Sequence, residues 1–384
     1  MITEKTEVVL VCGWSGPVSR TARSLLRPGT AIVRLDLAHV GEGVVRRTVT
    51  TVDAERDTML ELAHGCVSCT VREGLLPLLR TLSQRSNVDR IVVRLDPELE
   101  PDAVIWAIDH VVVAGINGRV DGPASVDVAA PSVVVCVDAD TWLRDATGDD
   151  ALDDDRTVAQ IVVGQVACAD VVVTVGDVDA STNAVLSRLA PEAVVCQSLP
   201  RRLPIGRNRG FDTHSPLLRG EPPLDVDHGV SLVEFAATRP FHPERLHEAV
   251  DVLLDGVVTA RGRVWVATQP DDALWLESAG GGLRVASGGR WLAAMTSDEQ
   301  EQESAERRAM AALHWDSRFG DRHISLVVLV HTADPDEIHR ALTWALLTDD
   351  EMSGPWVWHD PFGEYHEDPC ETSGVTLTEK EAHE

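Results

Sequence analysis

The chain has 384 residues and a formal net charge of −28, from 62 acidic and 34 basic side chains, and its length suits two domains. That charge excludes a broad, non-specific grip on nucleic acid or on an anionic membrane, because the summed field of the protein repels a phosphate surface. Seven cysteines, the absence of an apolar run of about 18 residues and an N-terminus unlike a secretory signal predict a cytoplasmic protein with reduced thiols and no membrane-spanning segment.

Residues 1–196 alternate short apolar runs with helical patterns. The runs are rich in β-branched residues and lack a period of two, which is typical of strands covered on both faces. They lie at residues 8–12, 31–35, 90–95, 132–137, 171–175 and 193–196. Between them, Leu75, Leu78, Leu79 and Leu82 recur at helical spacing, and residues 156–168 and 181–189 have helical length and composition. This alternation predicts an α/β domain with a doubly wound parallel sheet.

The second half of the chain has a different composition. Residues 197–229 contain Arg, Pro and Gly with few apolar runs, so we predict a linker there. Residues 230–348 predict a smaller α+β domain, with strands near 230–237, 257–267, 273–278, 283–286 and 324–331 and helices near 243–254, 301–313 and 335–347. Within it, Gly280-Gly281-Gly282 stands between two strands, which favours a hairpin turn over a phosphate-binding loop.

Acidic segments raise two open questions. The run from Asp149 to Asp155 either binds cations or a basic partner, or is a solvated loop in which Asp155 caps the next helix. Residues 349–384 form an acidic tail with eleven carboxylates. Trp356 and Trp358 indicate that its first half docks, and we favour docking within the chain over docking on a partner. His359, His366 and Cys370 in this tail are a further candidate metal group.

The segment after the first predicted strand stands where a nucleotide-binding sheet places its phosphate loop. A working loop reads G-x-x-x-x-G-K-[ST], in which backbone amides and the lysine hold the phosphates and the hydroxyl reaches magnesium. Gly13 matches, but Val18 stands at the second glycine, Ser19 at the lysine and Arg20 at the hydroxyl. Arg20 is a candidate replacement for the missing cation, and Thr21 is a candidate replacement for the missing hydroxyl. The candidate nucleotide-contacting residues here are Gly13, Gly16, Ser19, Arg20 and Thr21.

A second motif carries metal chemistry. Cys66 and Cys69 form a C-x-x-C pair, and His64 lies two residues earlier. Thiolates at this spacing chelate Zn²⁺, and an imidazole can supply a third ligand. The alternative is that the cysteines only pack in a loop at the edge of the sheet. We favour a metal-binding or redox-sensing role for Cys66, Cys69 and His64.

Taken together, these motifs resemble the CobW-type GTPase and metallochaperone family. Residues 65–75 read G-C-V-S-C-T-V-R-E-G-L, against the family motif G-C-x-C-C-T-[VI]-R-x-x-[LM], and residues 239–246 and 261–265 look like the family's C-terminal domain. The resemblance implies a P-loop-NTPase-like sheet, a CobW-type C-terminal domain, GTP with magnesium, and a zinc site. Ser68 replaces the central cysteine, which implies weaker zinc binding than in the family.

Further departures concern nucleotide chemistry. The family's E-T-[TS]-G-x-x-x-P segment aligns with residues 94–101, where Arg94 replaces the acidic residue, and the guanine-reading N-K-x-D aligns with residues 174–177, where only Asp177 survives. Asp177 is therefore the remaining candidate contact for a base. Because phosphoryl transfer depends on cations at the phosphates, these losses argue against ordinary GTP hydrolysis.

A narrower resemblance covers the whole chain. The sequence is similar to the actinobacterial branch of ribosome hibernation factor-recruiting GTPases, in residues 65–72, 106–110, 156–160, 275–287 and 360–363. This resemblance implies a zinc-starvation adaptor whose partners are a hibernation factor and the small ribosomal subunit. The alternative is a GTP-dependent zinc metallochaperone that transfers the ion through Cys66 and Cys69. A third possibility is an interaction module that binds no metal.

Overall fold

The computed structural model describes residues 5–62, 64–154, 156–207, 213–214 and 216–362. The predicted cap Asp155 and the tail residues His366 and Cys370 lie outside the described residues. No described helix is both long and apolar enough to cross a membrane.

The N-terminal domain is built on one eight-stranded sheet. Its strands are β1 (Glu7–Cys12), β2 (Thr30–Asp36), β3 (Val44–Thr50), β4 (Glu55–Glu61), β5 (Arg90–Arg94), β6 (Ser132–Asp138), β7 (Val171–Val175) and β8 (Val194–Cys196). They lie in the order β4-β3-β2-β5-β1-β6-β7-β8. Six neighbouring strands, in the order β2-β5-β1-β6-β7-β8, run parallel. The other two, β3 and β4, form an antiparallel hairpin at one edge of the sheet. The predicted doubly wound α/β sheet is confirmed.

The helices of this domain cover the sheet unequally. They are α1 (Val18–Ser24), α2 (Val67–Cys69), α3 (Leu76–Leu82), α4 (Pro101–His110), α5 (Trp142–Ala146), α6 (Val158–Ala167) and α7 (Ala180–Leu189), and a π-helical turn at Thr70–Leu75 joins α2 to α3. The larger core contains the predicted leucine stripe, including Leu75, Leu79 and Leu82. On the opposite face, short α1 packs beside β5 and β6 and leaves the face of β2 to β4 open.

The hairpin of β3 and β4 is a correction to the sequence prediction. Neither strand was predicted, because hydrophobic patterning detects strands that have a buried face. β4 is exposed along nearly its whole length, and β3 buries only Val45. Its main-chain pairing with β2, from Ile32 opposite Thr50 to Asp36 opposite Arg46, supplies the order that hydrophobic burial does not.

The C-terminal domain is a second sheet with helices packed on it. Its strands are β9 (Ser231–Ala237), β10 (Val257–Val264), β11 (Asp272–Ala279), β12 (Gly282–Arg290) and β13 (Ile324–Val330), ordered β12-β11-β10-β13-β9 and all antiparallel. The helices are α8 (Pro243–Ala249), α9 (Ser297–Gln302), α10 (Ala305–Leu313), α11 (Pro335–Ala345) and α12 (Asp349–Ser353). The single helix predicted at 301–313 is two helices, because the Ser304 hydroxyl accepts from Arg307 N and starts a new one.

The described residues of the connection between the domains, here called the strap, pack along both domains. Its described part, residues 197–207, 213–214 and 216–229, contains no helix or strand. Leu203 packs into the α1-side core of the first sheet, and Ser132 Oγ donates to Pro204 O at 2.6 Å. Further along, Leu217 packs on Trp275 of the C-terminal sheet. The strap therefore contributes buried side chains to each domain.

The three consecutive glycines form the predicted hairpin turn, between β11 and β12, and they also dock the two domains. A Cβ on Gly280 would lie 2.3 Å from Gly148 O, and one on Gly281 would lie 2.6 Å from the Asp149 side chain. Gly281 N donates to Gly148 O at 2.9 Å. The start of the acidic run thus faces the C-terminal domain.

The first part of the acidic tail docks within the chain, as predicted. Trp356 packs edge-on against Trp265, with ring centroids 6.0 Å apart, and its Nε1 donates to Glu351 O at 3.2 Å. Trp358 lies 4.7 Å from His242 by ring centroids. Asp360 accepts from Thr268 Oγ1 at 2.7 Å.

Candidate functional site

The phosphate-loop segment lies tightly against β6. Gly13 has a φ of +151°, and a Cβ there would stand 2.3 Å from Cys136 O. A Cβ on Gly16 would stand 2.7 Å from the same carbonyl oxygen. Only glycine fits at these two positions, so the backbone path of a nucleotide loop is retained.

The side chains that follow do not complete the site. Val18 and Thr21 are buried against the sheet, and the Thr21 hydroxyl is hydrogen-bonded to the Cys136 thiol. Burial raises the pKa of Cys136 to about 11, although the bond to Thr21 opposes that shift. Ser19 and Arg20 are exposed and line a cleft on the sheet side of α1. The residues present therefore fit the backbone of a phosphate loop and supply neither its lysine nor, at Thr21, an available magnesium hydroxyl.

The candidate base-reading residue lies at the same edge of the sheet. Asp177 follows β7, just after Gly176 with a φ of +82°, and it is exposed. Gln197 Nε2 donates to Asp177 Oδ1 at 3.2 Å. Parallel strands end at one edge of a sheet, which places Asp177 and the glycine loop on the side where such sheets bind ligands.

The two motif cysteines stand at the start of one helical segment. Cys66 is the residue before α2, and its Sγ accepts from Cys69 N at 3.3 Å. Both residues are thiols; Cys66 is half-buried and Cys69 is buried. Gly65 fixes the approach of this loop, because a Cβ there would lie 2.5 Å from Val40 O. The spacing thus places two sulfur ligands within one turn of helix.

His64 does not complete a three-ligand group. Its side chain is exposed, and its carbonyl oxygen accepts from Cys66 N at 3.0 Å in the turn before α2. Within the described ranges, no group of three His, Cys, Asp or Glu side chains is placed to hold a metal ion. His64 as a third ligand stays a prediction, and the structure supplies only Cys66 and Cys69 together.

A cleft of about 840 Å³, which was not predicted from the sequence, lies beside α1. Ser19, Arg20 and Arg23 of α1 form one wall, and the open face of β2 to β5 forms the floor. The floor contributes three further arginines, Arg34, Arg46 and Arg94. Arg34 and Arg94 share this face through the register of β2 with β5, and Arg46 joins them through the hairpin of β3 and β4, which was not predicted.

Comparison with known proteins identifies both domains. The CobW/HypB/UreG nucleotide-binding domain matches residues 37–195, and the C-terminal domain of the cobalamin synthesis protein CobW matches residues 230–346. A protein of Mycobacterium tuberculosis named as a zinc chaperone is 49% identical over 395 aligned positions, which cover 99% of this chain and 98% of that one.

More distant relatives extend the comparison. Zinc-regulated GTPase metalloprotein activator 1 of Dictyostelium discoideum is 24% identical over 352 positions, covering 83% of this chain and 72% of that one. The Zn(II)-bound YjiA GTPase of E. coli aligns with a TM-score of 0.37 and 15% identity, over 89% of this chain and 99% of that one. With two domain matches and a relative of nearly equal length, the chain belongs to the CobW/HypB/UreG family and carries the CobW C-terminal domain.

Proposed function

We propose that this protein is a zinc metallochaperone, which binds Zn²⁺ at Cys66 and Cys69 and passes it to a client protein. The observation that carries the proposal is the position of these two thiols in one turn, with Cys66 Sγ 3.3 Å from Cys69 N. The name of the mycobacterial relative, a zinc chaperone, supports the same function. From the sequence alone, zinc transfer was the alternative to ribosome recruitment. The names of the relatives favour zinc transfer.

The geometry suits transfer better than storage. A structural zinc site closes with four protein ligands, whereas two thiolates leave positions for water or for the ligands of a client. Ser68, between the cysteines in sequence, is exposed and offers no thiolate. A client with three or four ligands would therefore gain the ion by ligand exchange at this loop.

Competition with a chromophoric zinc chelator tests this proposal. We expect the wild-type chain to withdraw one equivalent of zinc, and Cys66→Ser with Cys69→Ser to withdraw none. Cys196→Ser is the matched control, because Cys196 is a half-buried thiol at the end of β8, outside the loop. Equal zinc affinities for the wild type and the double variant would overturn the proposal.

A second candidate function is the adaptor that recruits a hibernation factor to the small ribosomal subunit. The observation that favours it is the phosphate loop, in which Thr21 is buried and no lysine is present, because an adaptor needs no phosphoryl transfer. With a net charge of −28, contact through basic ribosomal proteins is favoured over contact with bare RNA.

Sedimentation with ribosomes from zinc-depleted and zinc-replete cells separates the two functions. Co-sedimentation of the chain with small subunits and a translation factor, only in low zinc, would support the adaptor. Recovery of no translation factor under either condition, together with zinc release to an apo-protein acceptor, would leave the metallochaperone alone.

A further inference from the structure

The cleft beside α1 is a concentration of positive charge in an acidic protein. Five arginines line it: Arg20, Arg23, Arg34, Arg46 and Arg94. Two carboxylates, Glu55 and Asp57, line it as well. Since acidic side chains outnumber basic ones by 62 to 34 in the whole chain, an excess of arginine within one cleft calls for a local function.

The register of the strands explains why these side chains share one face. Arg94 of β5 lies beside Arg34 of β2, which lies beside Thr48 of β3, which lies beside Asp57 of β4. Side chains opposite one another on neighbouring strands point to the same side of a sheet. The cleft floor is thus a row across four strands, with two arginines at its inner end and a carboxylate at its outer edge.

The carboxylates around the cleft already have partners. Arg46 donates to Asp36 at 2.6 Å, and Arg34 donates to the same oxygen at 3.3 Å. At the outer edge, Thr48 Oγ1 donates to Asp57 at 2.6 Å, and Thr50 Oγ1 donates to Glu55 at 2.9 Å. Three carboxylates, Asp36, Glu55 and Asp57, thus face five arginines, and an excess of positive charge remains in the cleft.

The remaining three arginines have unused donors. In the described part of the chain, no ion pair joins Arg20, Arg23 or Arg94 to a carboxylate. Arg94 Nε is buried without a hydrogen-bond partner there. Burial, with Arg34 nearby, lowers the pKa of Arg94. Burial of a guanidinium disfavours its charged form, and an anion in the cleft that Arg94 lines would offset that cost.

We propose that this cleft binds an oligophosphate, the phosphate chain of a nucleotide or an inorganic polyphosphate, through Arg20, Arg23, Arg34 and Arg94. Its volume of about 840 Å³ lies in the range of small-molecule sites. Guanidinium groups bind phosphate oxygens in pairs of parallel hydrogen bonds, and several of them on two walls suit a chain of phosphates.

The cleft extends away from the nucleotide loop and shares only Ser19 and Arg20 with the candidate residues of that loop. Gly13, Gly16 and Asp177 do not line the cleft. The strand order places β5 and β2 on one side of β1, and β6 and β7, which leads to Asp177, on the other. A ligand in the cleft would therefore be recognised by its phosphate charge. Asp177, the candidate guanine contact, does not line the cleft and would not select the base.

Isothermal titration calorimetry in metal-free buffer at low salt tests the proposal with sodium tripolyphosphate, orthophosphate, GTP and ATP. We expect tripolyphosphate to bind and orthophosphate to bind at least tenfold more weakly.

The double variant Arg23→Gln with Arg34→Gln should weaken the binding of tripolyphosphate at least tenfold. Arg85→Gln, an exposed arginine outside the cleft, should change nothing. Arg23→Gln alone, on an exposed helix surface, keeps the comparison usable if the double variant unfolds, with a several-fold loss expected.

The nucleotides distinguish the source of the phosphate. Equal binding of GTP and ATP, unchanged in Asp177→Ala, would assign a nucleotide phosphate chain to the cleft, whereas binding of tripolyphosphate alone would assign an inorganic polyphosphate. Either result supports an oligophosphate site. Binding of GTP that is lost in Asp177→Ala and kept in the arginine variants would overturn it. Equal binding of a hexaglutamate peptide would overturn it too, because the cleft would then accept any polyanion.

Discussion

At the scale of single residues, a buried arginine and a partly buried glutamate show opposite effects of a charge on stability. Arg80 is fully buried, pairs with Asp127 at 2.6 Å and donates to the carbonyl oxygens of Val113, Val120 and Gly122. One side chain thereby satisfies a loop with little core of its own. Glu100 is different. It lies near Glu277 and Arg284 of the C-terminal domain, and its surroundings in the folded protein disfavour the ionised carboxylate.

The pH dependence of stability should report on Glu100. Burial, with Asp102 nearby, raises its pKa to about 7, although Arg156 at 3.3 Å opposes the shift. From the ordinary pKa of 4.5 up to about 7 the unfolded chain loses this proton while the folded chain keeps it, so the Glu100 contribution to stability falls as pH rises through that window.

Glu100→Gln removes this titration. We expect the free energy of unfolding of the variant, relative to wild type, to increase from pH 5 to pH 7 and to stay level above that, as measured by urea denaturation. Glu98→Gln, which alters an exposed carboxylate two residues earlier, should show no such trend. A difference that is independent of pH would show that Glu100 titrates normally.

At the scale of elements, the turn of three glycines joins hairpin geometry to domain docking. Gly280 has a φ of +49° and no room for a Cβ, which would meet Gly148 O at 2.3 Å. Gly289, at the end of the same hairpin, has a φ of +85° and open space around it. Both glycines therefore have a left-handed backbone, but only Gly280 lies so close to a neighbouring atom that a Cβ would clash.

Gly280→Ala should therefore destabilise the protein more than Gly289→Ala. Both variants pay for a left-handed backbone, but only the first overpacks a domain contact, which adds about 1–3 kcal/mol. Chemical denaturation of the two variants side by side measures the difference. Equal losses would mean that the contact with Gly148 relaxes without cost.

The nucleotide loop gives a second prediction at this scale, which concerns the affinity for GTP. Its glycines keep the backbone path, so the missing cation is the simplest deficit to restore. Ser19→Lys should strengthen GTP binding about tenfold, because the ammonium group reaches the phosphates of a loop-bound nucleotide. Gln84→Lys adds the same charge on an exposed turn after α3, outside both the loop and the cleft, and should have a smaller effect. Equal gains in fluorescent-nucleotide titrations would indicate a charge effect without a loop site.

The elements also show how far sequence reasoning reaches. The runs of β-branched residues predict the parallel strands because burial on both faces leaves a strong pattern, and Gly65, Cys66 and Cys69 mark the candidate metal loop by residue type. The arginine cleft left no such pattern. Arg34 and Arg94 meet through the parallel register of β2 and β5, whereas Arg46 reaches the same face only through the exposed hairpin of β3 and β4.

At the scale of the whole molecule, the charge of −28 is unevenly distributed. The α1 side of the N-terminal sheet gathers arginines, whereas the domain contact includes Asp149 and the C-terminal segment carries eleven carboxylates. A protein that repels phosphate surfaces overall can still accept a compact anion at one place, because short-range contacts outweigh a screened long-range field.

The strap between the domains has a consequence for fragment complementation. A chain cut at Pro222-Pro223, beside exposed Leu224, leaves Leu203 and Leu217 on the N-terminal piece. That piece then keeps two contacts with the C-terminal sheet. Leu217 packs on Trp275, and the Leu217 carbonyl oxygen accepts from Arg261 Nη2 at 2.8 Å. We expect the two halves, expressed as separate polypeptides, to reassemble and elute together in size-exclusion chromatography. Leu217→Asp on the first half should abolish this, and separate elution without that substitution would show that covalent continuity is required.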